Sequence, residues 1–256
     1  MTVLSYLTRR AASAILSDTE QNSIRVSIAT LGSRLISMYG VKISEHFRFG
    51  SSTRSTILPR ALDEHSDIDY MVVFSDGGLT PQSYLDRLRR FADAYYQSSS
   101  IKQSSPTIVL ELNHIKFDLA PALKHWWDGY SIPDGAGGWL TTNPNDFNET
   151  LSRRNNECGS LIKPTIRLVK MWNAANGYVF ESYGLEKWIV GQSYWMCTNL
   201  RDYVLQVIDM LSPNTGTQWR DERIRRAKQI VMQTRTYESQ LLAPLTEAEI
   251  AKLFSA

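Results

Sequence analysis

Two cysteines in 256 residues are too few for a disulfide framework. Cys158 and Cys197 also lack metal-ligand spacing, so both read as free thiols of a reducing compartment. No apolar run approaches the roughly 20 residues that a membrane-spanning helix needs, which excludes such a span. The opening stretch, Met1 to Leu16, is interrupted by Arg9 and Arg10 and makes a poor secretory leader, so a cytoplasmic location is expected. The net charge is only +2. A protein that grips long nucleic acid through many phosphates carries a stronger basic excess. The basic run Arg220, Arg223, Arg225, Arg226 and Lys228 is offset by Asp221 and Glu222 and reads as a solvated helix face. His46, His65, His114 and His125 show no zinc-ligand clustering. Internal repeats and low-complexity tracts are absent.

What remains is an ordinary globular composition, long enough for one large domain or two small ones. Ser17-Asp18-Thr19-Glu20 has the form of a capping box, and Ile24, Ile28, Leu31, Leu35 and Met38 follow at helical spacing up to Gly40. Asp67 to Phe74 is rich in strand formers and ends at the turn Ser75-Asp76-Gly77-Gly78. Pro81 to Ser98 carries a helical face of Tyr84, Leu85, Leu88, Phe91 and Tyr95. Thr107–Leu112 and Ile115–Leu119 flank Asn113-His114 as a hairpin. Asp128 to Asn148, rich in Gly, Pro, Asn and Asp, marks the main boundary. Beyond it a helix is expected from Pro164 to about Asn176-Gly177, then others near 183–210, 219–240 and 246–254. The expected division is residues 1–145 and 146–256.

Asp67 and Asp69 stand at the head of an apolar strand. Alternation puts both carboxylates on one side, roughly 7 Å apart along the chain. Two like charges there repel each other and resist desolvation, and a divalent cation relieves both problems. Oxygen-only ligands favour magnesium or manganese over zinc. An Asp-x-Asp pair is by itself also an ordinary turn or cap. Asp118, on the strand Ile115-Lys116-Phe117-Asp118-Leu119, can join the pair if the two strands are neighbours; its bland reading is an ion-pair partner for Lys116.

Phe49-Gly50-Ser51-Ser52-Thr53-Arg54 precedes the acidic strand. Glycine lets backbone amides approach a phosphate, and the hydroxyls and Arg54 add donors and charge. Gly-Ser alone is a common turn. Gly50-Ser51, Asp67-Ile68-Asp69 about 17 residues on and Asp118 about 50 further make a more specific combination.

These stretches, 49–59 and 66–74 with Phe117 to Ala122, resemble the motifs of the CD-NTases, bacterial relatives of cGAS and of the cholera-type dinucleotide cyclase in the DNA polymerase β nucleotidyltransferase superfamily. The resemblance continues through Ile132-Pro133-Asp134, Gly138 to Pro144, Pro164 to Asn173, Phe180 to Glu186, and Arg223 to Glu238 with Leu253-Phe254. It implies an α+β, bilobed fold: a mixed-sheet catalytic lobe and a helical-bundle lobe with the active site between them. It implies that Asp67, Asp69 and Asp118 bind two Mg2+ ions (Mn2+ as a substitute), and that Gly50 and Ser51 bind the triphosphate. Lys170 and Ser182 would reach the phosphates, and Tyr183 would stack on a base. Read without the family, Lys170 is a solvated helix residue, Ser182 a cap and Tyr183 core.

The implied activity is synthesis of cyclic di- or trinucleotides from ATP and other nucleoside triphosphates, in anti-phage signalling of the CBASS type with regulatory or effector proteins as partners. No membrane is involved, and activation by nucleic acid is not expected. The chain is shorter than many relatives and is expected to lack a terminal extension. Two alternatives stand beside this: nucleotide addition to RNA, as in CCA-adding enzymes, and an idle nucleotide-binding module.

Overall fold

The computed structural model describes residues 2–104, 106–127 and 129–255. Met1 and Asp128, which begin two of the stretches read above, lie outside the described residues. The chain divides into two compact units that alternate along the sequence: Leu16–Ser55 with His65–Glu149, and Met1–Ile15 with Thr56–Glu64 and Thr150–Ala256.

The first unit is built on a mixed sheet. Its strands are β1 (Ile43–Arg48), β2 (Ile68–Phe74), β3 (Ser100–Ser104), β4 (Thr107–Glu111), β5 (Lys116–Lys124), β6 (Tyr130–Pro133) and β7 (Trp139–Thr142). The order is β1-β2-β5-β4-β3, with β6 on β5 and β7 on β6. Among the described residues only β2 and β5 run parallel. From Tyr70 to Phe74 every residue of β2 is buried, the mark of a strand covered on both faces.

Helix α2 (Asp18–Tyr39) opens with the capping box: Ser17 accepts from the Glu20 amide and the Glu20 carboxylate answers the Ser17 amide. It stops at Gly40 in positive φ. Helix α4 (Pro81–Tyr95), capped by Thr80, buries Tyr84, Leu85, Leu88, Phe91 and Ala92. Between β1 and β2 lies a single helical turn, α3 (Ser51–Arg54).

The second unit is helical. It contains α1 (Val3–Ser13), α6 (Ile162–Ala175), α7 (Ser182–Val190), α8 (Leu200–Met210), α9 (Gln218–Ser239) and α10 (Ala243–Ala251), while α5 (Asp146–Glu157) runs into it from the sheet unit. Ten residues of α6 are buried, on all its faces, so it is the unit's central helix. Helix α1 packs Val3, Leu7 and Ala11 inward, against α6, α8 and α10. That packing places residues 2–15 with the helical unit, whereas the linear reading gave them to the first lobe.

Other differences are local. Residues 130–142, expected as irregular boundary, form the β6–β7 hairpin; Asp134 Oδ1 accepts from the amides of Ala136 (2.7 Å) and Gly138 (2.9 Å) and closes its glycine-rich turn. The helix expected over 183–210 is two, α7 and α8, separated after Val190 by a turn that starts at Gly191. Helix α6 begins at Ile162, two residues ahead of Pro164.

Candidate active site

Strand β2 begins at Ile68, so Asp69 lies in the strand and Asp67 just ahead of it. In the parallel β2–β5 ladder Asp69 pairs in register with Asp118. In-register residues of neighbouring strands present their side chains on one face. Lys116, two residues before Asp118, shares that face. Its Nζ lies 3.0 Å from Asp67 Oδ2 and 3.9 Å from Asp118 Oδ1.

Asp118 Oδ1 is buried and accepts no hydrogen bond. Burial first, and then the negative charge of Asp67, push the Asp118 carboxyl up to about 6, against the opposing pull of Lys116.

Gly50 approaches this face from β1. The Phe49 amide donates to the Asp69 carbonyl at 3.0 Å, tying the turn to β2. Gly50 adopts φ 70°, and a β-carbon there would lie 1.9 Å from Asp69 Oδ2. Both its backbone angle and its neighbour therefore demand glycine. Ser51 opens α3, in whose first turn the Thr53 amide donates to the Gly50 carbonyl at 3.2 Å. The hydroxyls of Ser52 and Thr53 are used inside the turn, donating to Phe49 O (3.1 Å) and Gly50 O (2.9 Å), and Asn148 donates to Thr53 Oγ1 at 3.3 Å. Arg54, 5% exposed, lies over the Phe147 ring at 5.6 Å; it is an interior cation of the sheet unit.

The donor set fits a hard divalent cation: three carboxylates, one with a buried oxygen that no hydrogen bond satisfies. In the arrangement shown, with Lys116 among them, no three His, Cys, Asp or Glu side chains of the described residues converge closely enough to hold an ion.

Lys170, Ser182 and Tyr183 belong to the helical unit. Lys170 is not a solvated residue. Its Nζ donates to the Thr56 carbonyl at 3.1 Å and pairs with Glu186 Oε1 at 3.2 Å, with Lys170 6% and Glu186 1% exposed. Thr56 Oγ1 also donates to Glu186 Oε1, at 2.9 Å. Ser182 begins α7, but Glu181 caps it, accepting from the amides of Tyr183 and Gly184. Tyr183 is exposed rather than core, with Lys187 Nζ 5.5 Å from its ring centre.

Sequence reasoning missed Thr56, Glu186, Asn148 and Phe147, and took Lys116 only as a bland partner for Asp118. Glu186 had one local signal, a carboxylate on the apolar face of Leu185, Ile189 and Val190.

The mixed sheet thus pairs the Asp67-Ile68-Asp69 strand in parallel with the Asp118 strand, beside the Gly50-Ser51 turn. The fold is that of Vibrio cholerae DncV, a cyclic AMP-GMP synthase (TM-score 0.77, 11% identity, covering 99% of this chain and 96% of that one). It is likewise similar to the Bradyrhizobium diazoefficiens CD-NTase CdnG, solved in complex with GTP (TM-score 0.69, 13% identity, 98% of each chain). Residues 1–155 match the Second Messenger Oligonucleotide or Dinucleotide Synthetase domain, and the chain belongs to that family. A probable cyclic nucleotide synthase of Bacillus cereus (strain VD146) is 27% identical over 57% of this chain and 56% of its own length, so the match spans about half of that relative. No described helix is long and apolar enough to cross a membrane.

Proposed function

We propose that this protein is a metal-dependent nucleotidyltransferase that joins ribonucleoside triphosphates into a cyclic di- or trinucleotide messenger, in anti-phage signalling alongside separate regulatory or effector proteins. The observation that carries the reading is the register of Asp118 against Asp69, two residues from Asp67, with Gly50 backed onto the Asp69 carboxylate. The family membership and the GTP-bound relative support triphosphates as substrates.

Asp67 and Asp69, joined by Asp118, would hold two magnesium ions. Bound there, the metal supplies charge neutralisation for the triphosphate and a lowered pKa on the attacking hydroxyl. The backbone at Gly50 and Ser51 cradles the triphosphate, where a side chain at position 50 would collide with Asp69. A ribose hydroxyl oxygen forms a bond to the α-phosphorus as the bond from that phosphorus to the bridging oxygen breaks, and pyrophosphate leaves. Asp118 takes the hydroxyl proton. Tyr183, exposed at the start of α7, would stack on a base. Lys170, paired with Glu186 in the interior, acts by fixing the segment at Thr56.

The test is incubation of the full chain with four labelled ribonucleoside triphosphates and magnesium, beside a variant carrying Asp67→Asn and Asp69→Asn. A phosphatase-resistant product from the native protein alone is expected, its masses read by mass spectrometry. Undiminished product from the variant rejects the scheme. Product formed only when RNA is supplied replaces it with RNA extension, and triphosphate binding with no turnover leaves an idle module.

A further inference from the structure

Among the carboxylates of the acidic face stands one cation of the chain itself. Lys116 and Asp118 alternate onto the same side of β5, and the ammonium lies 3.0 Å from Asp67 Oδ2 and 3.9 Å from Asp118 Oδ1. All three side chains are mostly shielded: 19% exposed for Lys116, 27% for Asp67 and 21% for Asp118. We propose that Lys116 is a resident counter-cation, which holds the acidic cluster together without metal and must give way when a divalent ion enters, so that it sets the affinity of the site for metal. The inference rests on the metal-binding reading given above.

Two partly buried carboxylates facing one another repel. An ammonium is a compact point charge on a flexible stem, and it offsets both without imposing a coordination geometry. It does so loosely at Asp118, whose buried Oδ1 keeps its lone pairs unbonded. A magnesium ion binds oxygen at about 2.0–2.1 Å and brings twice the charge. An ion held by those oxygens would face an ammonium now 3.0 Å from one of them, and the two cations would repel. Glu111 on β4 is the cross-strand partner of Lys116 in the antiparallel ladder. Lys116 is therefore a positioning residue, which stands between Asp67 and Asp118 and moves off them when the ion enters.

The experiment uses the full chain and manganese as the probe. Free Mn2+ is measured by electron paramagnetic resonance during titration of the native protein, Lys116→Met, Lys116→Arg, and the variant carrying Asp67→Asn and Asp69→Asn. Melting curves are recorded in chelator and in excess Mn2+. Lys116→Met is expected to bind Mn2+ about tenfold more tightly than the native protein. It should also melt lower in chelator and gain more from added ion; Lys116→Arg should stay near native affinity.

A second readout needs no variant. Labelling of surface amines followed by mass spectrometry should show Lys116 becoming more reactive when Mn2+ is added. Native affinity or weaker in Lys116→Met, or unchanged labelling of Lys116 on metal addition, overturns the proposal while leaving the metal site standing. Absence of Mn2+ binding in the native protein and in Lys116→Met alike overturns the metal reading itself and this inference with it.

Discussion

Gly50 is pressed against Asp69: a β-carbon at position 50 would stand 1.9 Å from Asp69 Oδ2, at a backbone φ of 70°. Gly50→Ala must move either the turn or the carboxylate. We expect product formation to fall by at least about a hundredfold, because a displacement of about 1 Å at a reacting centre has that effect. The loss of stability should stay within about 1–3 kcal/mol, the range of a strained backbone site. Turnover assays beside thermal melts check this, and a variant with native turnover would show the turn to be adaptable.

Asp118 gives a pH signature in metal-free buffer. Its folded-state carboxyl lies at about 6, above the roughly 3.9 of an unfolded chain. The folded protein thus holds this proton more tightly. The associated stability is complete below pH 4 and is lost as pH rises through 6. Asp118→Asn removes the loss. In chelator at pH 7.5 the variant should exceed the native protein by up to about 3 kcal/mol, and at pH 4.5 the gap should shrink sharply. Denaturant melts at both pH values decide it; a native protein more stable than the variant at pH 7.5 would contradict the assignment.

Lys170 and Glu186 form a buried ion pair in the helical unit, joined through Glu186 Oε1 to Thr56. Removing either partner leaves an uncompensated interior charge. Lys170→Met alone should cost about 3 kcal/mol or more, and addition of Glu186→Gln should recover much of that. A double-mutant cycle by urea melts measures the coupling, and simple additivity would mean the pair is not closed in solution.

Tyr183 is 41% exposed at the first turn of α7. Tyr183→Ala should leave the melting temperature within experimental scatter and raise KM for the triphosphates by about tenfold, the value of one stacked base. A large loss of stability with unchanged KM would identify Tyr183 as structural.

The elements legible from sequence were those with strong local signals. The capping box at Ser17 and Glu20, the stop at Gly40, and the apolar face Tyr84, Leu85, Leu88 and Phe91 each lie within one element. Strand β2 was legible from its β-branched and aromatic run. The strands that escaped are short or mostly exposed: β3 reads Ser-Ile-Lys-Gln-Ser with little burial, and β6 and β7 bracket a glycine-rich turn that resembles a linker. At the site, Gly50 and the aspartates sit in compact motifs. The Lys170–Glu186–Thr56 cluster does not, because Thr56 is 114 residues from Lys170 and only tertiary packing joins them. The opposition of Lys116 to Asp67 was hidden for a similar reason: it depends on which strand lies beside β2.

The alternation of the two units along the chain bears on how the protein can be dissected. The helical unit takes residues from before the sheet unit, from the middle of it and from after it. A clone beginning at Thr150 would lack α1, uncovering the face of α6 and α8 on which Val3, Leu7 and Ala11 rest, and would lack Thr56, stranding the Lys170–Glu186 pair without its third partner. Such a fragment should aggregate on expression, whereas supplying the first 149 residues as a separate chain offers a route to a reassembled, split enzyme.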